Sequence, residues 1–125
     1  MINLLIRDLL QYLLARAQAA VNAQMGIRQS IGWGGPGIVS ERDGKRVAIF
    51  PVNLHQAMVE SIALESGIDL PMDGLVYFDD LVVGTVAGWE GTPRCCPMVG
   101  PREIRIAGDI GEKAKPHLHL HIVLR

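Results

Sequence analysis

The chain has 125 residues and a mass of 13.6 kDa, which is enough for one ordinary domain and too little for two. It carries 12 Lys and Arg against 13 Asp and Glu, and this formal charge of −1 argues against holding nucleic acid through bulk positive charge. Hydrophobic residues make up 49% and aromatic residues 5%, so the chain can bury a core but has little material for stacking nucleic-acid bases.

Residues 1–25 predict an amphipathic helix. Polar residues recur at spacings typical of one helix face, namely Asn3, Arg7, Gln11, Gln18 and Asn22. The rest of the helix surface is broadly apolar and must be covered by the domain, by a neighbouring subunit or by a membrane surface. Arg7, Asp8 and Arg16 interrupt the apolar residues, so we expect neither a transmembrane segment nor a signal peptide.

Residues 26–36 are rich in glycine and predict an irregular connector. The remaining part, residues 37–125, predicts a core of strands around one helix. Two strands, residues 37–41 and 46–52, form a hairpin across Asp43 and Gly44. A central helix begins at Leu54, with Asn53 as its N-cap, and ends at Gly67.

Four further strands are predicted over residues 74–77, 81–87, 102–110 and 117–124. We therefore expect residues 1–125 to form a single α+β domain. Its mostly antiparallel sheet carries the N-terminal amphipathic helix and the central helix packed on it.

The most informative segment is the last predicted strand, which contains three of the four histidines of the chain. Residues two apart on a strand share a face, so His117, His119 and His121 line one side. The other side carries the apolar residues Leu118, Leu120, Ile122 and Leu124. We expect the apolar side to face the core and the histidines to form a functional row.

The preceding strand alternates in the same way. A hairpin between the two strands that matches their apolar faces pairs Ile106 with Ile122 and sets Asp109 opposite His119. A carboxylate at that position orients an imidazole and raises its basicity.

Imidazoles at positions i and i+2 of a strand can share a metal ion, most plausibly Zn²⁺, when a further ligand is supplied from elsewhere. The candidates for that ligand are His55, Asp109, Glu112 or a residue of another subunit. The alternative is that the histidines are sheet residues with satisfied hydrogen bonds. The adjacent Cys95 and Cys96 are interpreted as buried or loop thiols of a reducing, cytoplasmic compartment, because they cannot form a disulfide framework.

The segment from Glu103 to Leu124 resembles the plant and prokaryote conserved (PPC) domain, in which a strand ending in Gly-Asn/Asp-Ile precedes a hairpin and a His-Leu-His strand. Residues 50–67 and 81–88 are similar to that family's early strand and helix and to its strand rich in Gly and Val, and the family's C-terminal Gly-Gly-His segment has no counterpart here. The resemblance implies an α+β homotrimer with a site at the subunit interface. There His119 and His121 match the metal-associated pair, and a small anionic ligand is a further expectation. The chain has no basic AT-hook arm, so the resemblance gives no reason to expect DNA binding.

The same strand also resembles the histidine-triad nucleotide hydrolases and transferases, and residues 74–81 are similar to that family's early strand. This resemblance implies that His119 is the nucleophile on an α-phosphate and that the neighbouring histidines orient it. A third interpretation is a non-catalytic structural or interaction protein in which the histidines only pack.

Overall fold

The computed structural model describes residues 2–24, 29–96 and 99–125. Two segments are helical, α1 (Ile2–Gln24) and α2 (Val86–Trp89). The strands are β1 (Ser30–Pro36), β2 (Ile38–Arg42), β3 (Lys45–Phe50), β4 (Val59–Ile68), β5 (Leu75–Phe78), β6 (Leu81–Thr85), β7 (Arg94–Cys95), β8 (Ile104–Ala107) and β9 (His117–Leu124). In these described ranges, neither helix has the length and apolar character needed to cross a membrane.

The strands form two antiparallel sheets. Sheet A has the order β1-β9-β4-β7, and sheet B has the order β2-β3-β8-β5-β6. One continuous hydrophobic core lies between them, because the buried side chains of both sheets belong to one cluster. Its largest members include Phe50 and Ile106 from sheet B and Leu118 and Ile122 from sheet A. The fold is thus mostly antiparallel strands with two helices, arranged as a sandwich rather than as one sheet.

Helix α2 closes one end of this core with a buried tryptophan. The Trp89 ring meets Phe78 edge to face at 5.6 Å between centroids. Its indole Nε1 donates a hydrogen bond of 2.9 Å to the backbone oxygen of Ile62, so the single polar group of the ring is satisfied inside the core. The side chain of Thr85 caps the helix by accepting from the backbone N–H of Gly88. The predicted strand over residues 81–87 therefore stops at Thr85.

The predicted central helix, from Leu54 to Gly67, is wrong. Residues 59–68 form strand β4, which lies between β9 and β7 in sheet A. The spacing of Leu54, Met58 and Ile62 favoured a helix, but Ile62 and Leu64 alternate into the core as strand residues do. Asn53 takes a left-handed φ of 52° before the turn at residues 55–56 and does not cap a helix. Cross-strand pairing on both sides of β4 therefore outweighs the local helical pattern.

The predicted glycine-rich connector over residues 26–36 is also corrected, because its residues 30–36 form strand β1 at the edge of sheet A. Residues 25–28 lie outside the described ranges. Glycine weakens a strand, but β1 pairs with β9 along its whole length, from Ser30 opposite Val123 to Pro36 opposite His117. The proline is tolerated at this place because it ends an edge strand.

The predicted hairpin between the last two strands is wrong. β8 lies in the centre of sheet B, and β9 lies in sheet A. Ile106 is paired with Ala48 and Val76, whereas Ile122 is paired with Ile31 and Ile62. Both strands bury their apolar faces in the same core from opposite sheets, and the alternation of the sequence is satisfied equally well by that arrangement.

Candidate functional site

The histidine row lies on the outer face of sheet A, as the sequence predicts. His119 and His121 are exposed and His117 is half-buried, while Leu118, Leu120 and Ile122 are fully buried on the other side of β9. Because β9 is an inner strand, residues of β1 and β4 flank every histidine. The row is therefore a stripe along a sheet surface.

The surface around His119 is built from small residues. The residues directly opposite it are Gly34 on β1 and Ser66 on β4. A Cβ placed on Gly34 would lie 2.9 Å from Nδ1 and from Cε1 of His119, so the imidazole rests on the glycine backbone. Covering an unsubstituted glycine in this way shields its peptide groups from water and orients the ring toward β1.

His117 and His119 form a ring pair. Their centroids are 4.8 Å apart, and the ring planes are inclined by 38°. The Nδ1 atom of His117 is inaccessible to solvent and has no hydrogen-bond partner among the described residues. A buried ring nitrogen without a hydrogen-bond partner destabilises the folded state.

His121 belongs to a different pair. Its Nδ1 lies 3.7 Å from Oε1 of Glu65 on β4, a loose and exposed ion pair that forms when the imidazole is protonated. A register shift in β4 between Leu64 and Ser66 places Glu65 beside the row. Glu65 is not among the predicted site residues because the sequence pattern favours a helix over residues 54–67, and only the strand register reveals its position beside the row.

The other predicted ligands lie elsewhere in the fold. Asp109 is not opposite His119. It is exposed after β8 and lines a cleft with Lys45 and Arg46 beside the β2–β3 turn. Glu112 is in an exposed turn, and His55 is in the segment of residues 53–57 that faces α1.

These positions limit what metal the row can hold. Among the residues that the structure describes, no three His, Cys, Asp or Glu side chains are grouped closely enough to hold a metal ion. His119 leans toward β1 and His121 toward Glu65 on β4, so the expected pair diverges. The imidazoles that the structure brings together in this row are those of His117 and His119.

The two cysteines lie at the opposite edge of sheet A. Cys95 is exposed on β7 opposite Ser61, and Cys96 is buried in the core. Burial raises the pKa of the Cys96 thiol to about 11, with a smaller contribution from the neighbouring Cys95. A thiol that stays protonated at neutral pH is a poor nucleophile and a poor metal ligand.

The described residues also carry exposed apolar surface on α1. We define the leucine face as Leu9, Leu10, Leu13 and Leu14, all of which are exposed. A cleft of about 570 Å³ separates α1 from residues 53–57, and α1 lines that cleft with Asp8, Gln11, Tyr12 and Ala15. The helix thus turns a mixed face toward its own domain and the leucine face away from it.

A second exposed apolar surface is the outside of sheet B. We define the apolar sheet face as the outward residues Ile38, Val47, Ile49, Leu75, Tyr77, Val82 and Ala107. Ile38, Leu75 and Val82 are exposed, and the other members are half-buried. Apolar surface that is contiguous over several strands marks an interaction site more often than scattered residues do.

Comparisons of this chain with protein-family models, with curated proteins and with solved structures gave no match.

Proposed function

We propose that this protein is a non-catalytic assembly module, a small β-sandwich that works by associating with further copies of itself. The observation that carries this proposal is the leucine face of α1. Four leucines on one helix are exposed, and Leu14 alone has 70% of its surface in contact with water. Hiding one such side chain is worth about 1.5–3 kcal/mol, so burial of all four works against the entropy cost of association.

The open shape of the histidine row supports the same interpretation. Small-molecule sites are concave and bury most of the ligand, whereas His119 and His121 stand exposed on a sheet surface. An assembly module is also consistent with the homo-oligomer expected from the sequence, for which a trimer is the predicted form.

Sedimentation of the full chain across a wide concentration range tests this proposal. We expect an oligomer, and we expect Leu13→Asp to lower the association constant by at least about tenfold because it buries a charge at the contact. Ile68→Asp is the matched control, since Ile68 is an apolar residue with 54% exposure on sheet A. A wild-type chain that stays monomeric at every concentration would overturn the proposal.

A second candidate function is a metal ion shared between copies, and the His117–His119 ring pair favours it. Two imidazoles whose centroids are 4.8 Å apart supply two of the four ligands that Zn²⁺ requires. The same pair from a second copy completes a four-histidine shell. A bound zinc ion would then crosslink subunits through sheet A.

Elemental analysis of untagged protein, before and after dialysis against a chelator, tests the metal candidate. We expect about half an equivalent of zinc per chain, lost in His117→Ala and in His119→Ala and retained in His55→Ala, because His55 lies away from the row. Protein that takes up no zinc, or a His119→Ala variant that binds zinc as the wild type does, contradicts it.

A further inference from the structure

We infer that the leucine face of α1 docks on the apolar sheet face of another copy. This inference rests on the proposed self-association and names the two surfaces that meet. Helix on sheet is one of the stable ways in which two layers of secondary structure bury their apolar sides. Both surfaces are present on every copy, so each can cover the other.

The orientation of α1 favours a partner outside its own domain. The helix lies across the cleft from residues 53–57 with Tyr12, its only half-buried residue between positions 7 and 18, on the near side. At about 100° per residue, Leu9, Leu13 and Leu10 are centred on the far side. The leucine face would reach its own sheet only if the helix rolled by about half a turn.

The apolar sheet face offers a matching surface. A row of five residues crosses the centre of this face, one from each strand of sheet B. Its members, in order, are Ile38, Ile49, Arg105, Tyr77 and Val82. The Arg105 guanidinium stacks over the Tyr77 ring at 5.3 Å from its centroid, which leaves the aliphatic part of the side chain within the surface. A second row beside it continues the apolar character through Val47, Ala107 and Leu75.

Charge is complementary where the helix borders meet one end of the apolar sheet face. Arg7 and Arg16 flank the leucine face on its two sides, each about a quarter-turn from its centre. Arg16 contacts Tyr12, with a long hydrogen bond of 3.5 Å to the hydroxyl and its guanidinium 5.9 Å from the ring centroid. At one end of the apolar sheet face the carboxylates of Asp80 and Glu103 surround the single guanidinium of Arg105. At this end a cation bordering the helix therefore meets an excess of anions, whereas the exposed Arg42 and Lys45 lie at the β2–β3 end of the same face.

The dimensions agree as well. Residues 7–18 of α1 span roughly 18 Å at 1.5 Å per residue, and the six residues of β3 span about 20 Å. One such contact is small beside the roughly 1,600 Å² of a standard interface. Since the two surfaces differ, the contact is either exchanged reciprocally in a dimer or repeated around a ring, and each copy then buries both of its surfaces.

Complementation between two full-length variants tests this pairing. Leu13→Asp damages the helix and leaves the sheet intact, whereas Val82→Asp damages the sheet, where Val82 is 50% exposed, and leaves the helix intact. We expect each variant alone to be monomeric and an equimolar mixture to form a heterodimer in native mass spectrometry. Ile38→Asp on the far edge of sheet B repeats the test if Val82→Asp does not fold, which circular dichroism reports.

The outcomes separate the inference from the function on which it rests. One outcome is that Leu13→Asp is monomeric while Val82→Asp and Ile38→Asp both associate as the wild type does. This outcome would support self-association through α1 but contradict the helix-on-sheet contact, because it would show that helices pair with helices. A mixture that stays monomeric would also overturn the helix-on-sheet contact. A monomeric wild type would overturn the proposed function itself.

Discussion

At the scale of single residues, the two adjacent thiols lie in opposite environments. Successive strand residues point to opposite faces, so Cys95 on β7 is exposed while Cys96 next to it enters the core. The Arg125 guanidinium also donates a hydrogen bond of 2.8 Å to the backbone oxygen of Cys96, which links the residue after β9 to the residue after β7. The pair is therefore one exposed thiol beside one buried thiol.

The raised pKa of Cys96 predicts a loss of stability in alkali. The folded value is about 11 against an ordinary value of 9.0, so the thiol favours the folded state fully below pH 9. Between pH 9 and 11 the unfolded chain releases this proton and the folded chain keeps it, so stability falls as pH rises, by about 2–3 kcal/mol in total.

Urea unfolding from pH 8 to 11 measures this effect. Cys96→Ala removes the titrating group, and the pH dependence of the variant should be flatter than that of the wild type over this window. Identical slopes for the two proteins would contradict the prediction.

The histidine row could be predicted from the sequence because alternation with a period of two is a local property. His117, His119 and His121 share a face whichever strands flank them. The partner of His121 could not be predicted, because Glu65 reaches the row only through the register shift in β4. Residue pairs across strands depend on register, and register is fixed by the whole sheet.

At the scale of elements, the hairpin of β2 and β3 and the strands β5 and β9 follow from turn residues and alternation. Asp43 and Gly44 both take positive φ values, as the Asp-Gly signal requires. Strand β4 does not follow from local pattern, since Ile62 and Leu64 are buried by partners distant in sequence. Strand β1 was missed because its glycines oppose strand formation unless a neighbouring strand holds them.

The chain passes from β1 to β2 at Gly37, a position that cannot accommodate a Cβ atom. Gly37 sits where the chain leaves sheet A for sheet B, and its N–H donates to the backbone oxygen of Pro116. A Cβ there would lie 2.7 Å from Cζ of the fully buried Phe50.

We therefore expect Gly37→Ala to destabilise the fold by about 2–3 kcal/mol, because the ring cannot move without disturbing the core. Gly32→Ala is the control, since the nearest atom to its added Cβ is 3.9 Å away. Thermal unfolding compares the two variants, and equal melting temperatures would show that Phe50 adapts.

At the scale of the whole molecule, the two sheets share one core and should unfold together. Leu120 of sheet A and Ile106 of sheet B are both almost completely buried in the same cluster. We expect Leu120→Ala and Ile106→Ala each to cost about 2–5 kcal/mol and to shift a single transition. Fluorescence and circular dichroism should trace the same curve in each variant, and separate transitions would mean that the sheets are independent.

The strand order is the part of the fold that the sequence does not reveal. Antiparallel alternation places an apolar side on β8 and on β9 but does not say which sheet each strand joins. The helix α1 was predicted with nearly its observed bounds, and so was the broadly apolar character of its surface, because both follow from local periodicity. Local sequence pattern thus predicts which face of a helix or strand is apolar. Which strands are neighbours is determined only by the packing of the whole core.

The position of β9 between β1 and β4 has a consequence for synthesis on the ribosome. All strands of sheet B are complete by residue 107, whereas sheet A has no contact between β1 and β4 until residues 117–124 have emerged. During translation β1 and the side of β4 that will meet β9 remain without backbone partners, and β4 is paired only with the two-residue strand β7. The nascent chain is thus most vulnerable to aggregation in the interval before the histidine strand is made, and the insertion of that strand is the step that ends the risk.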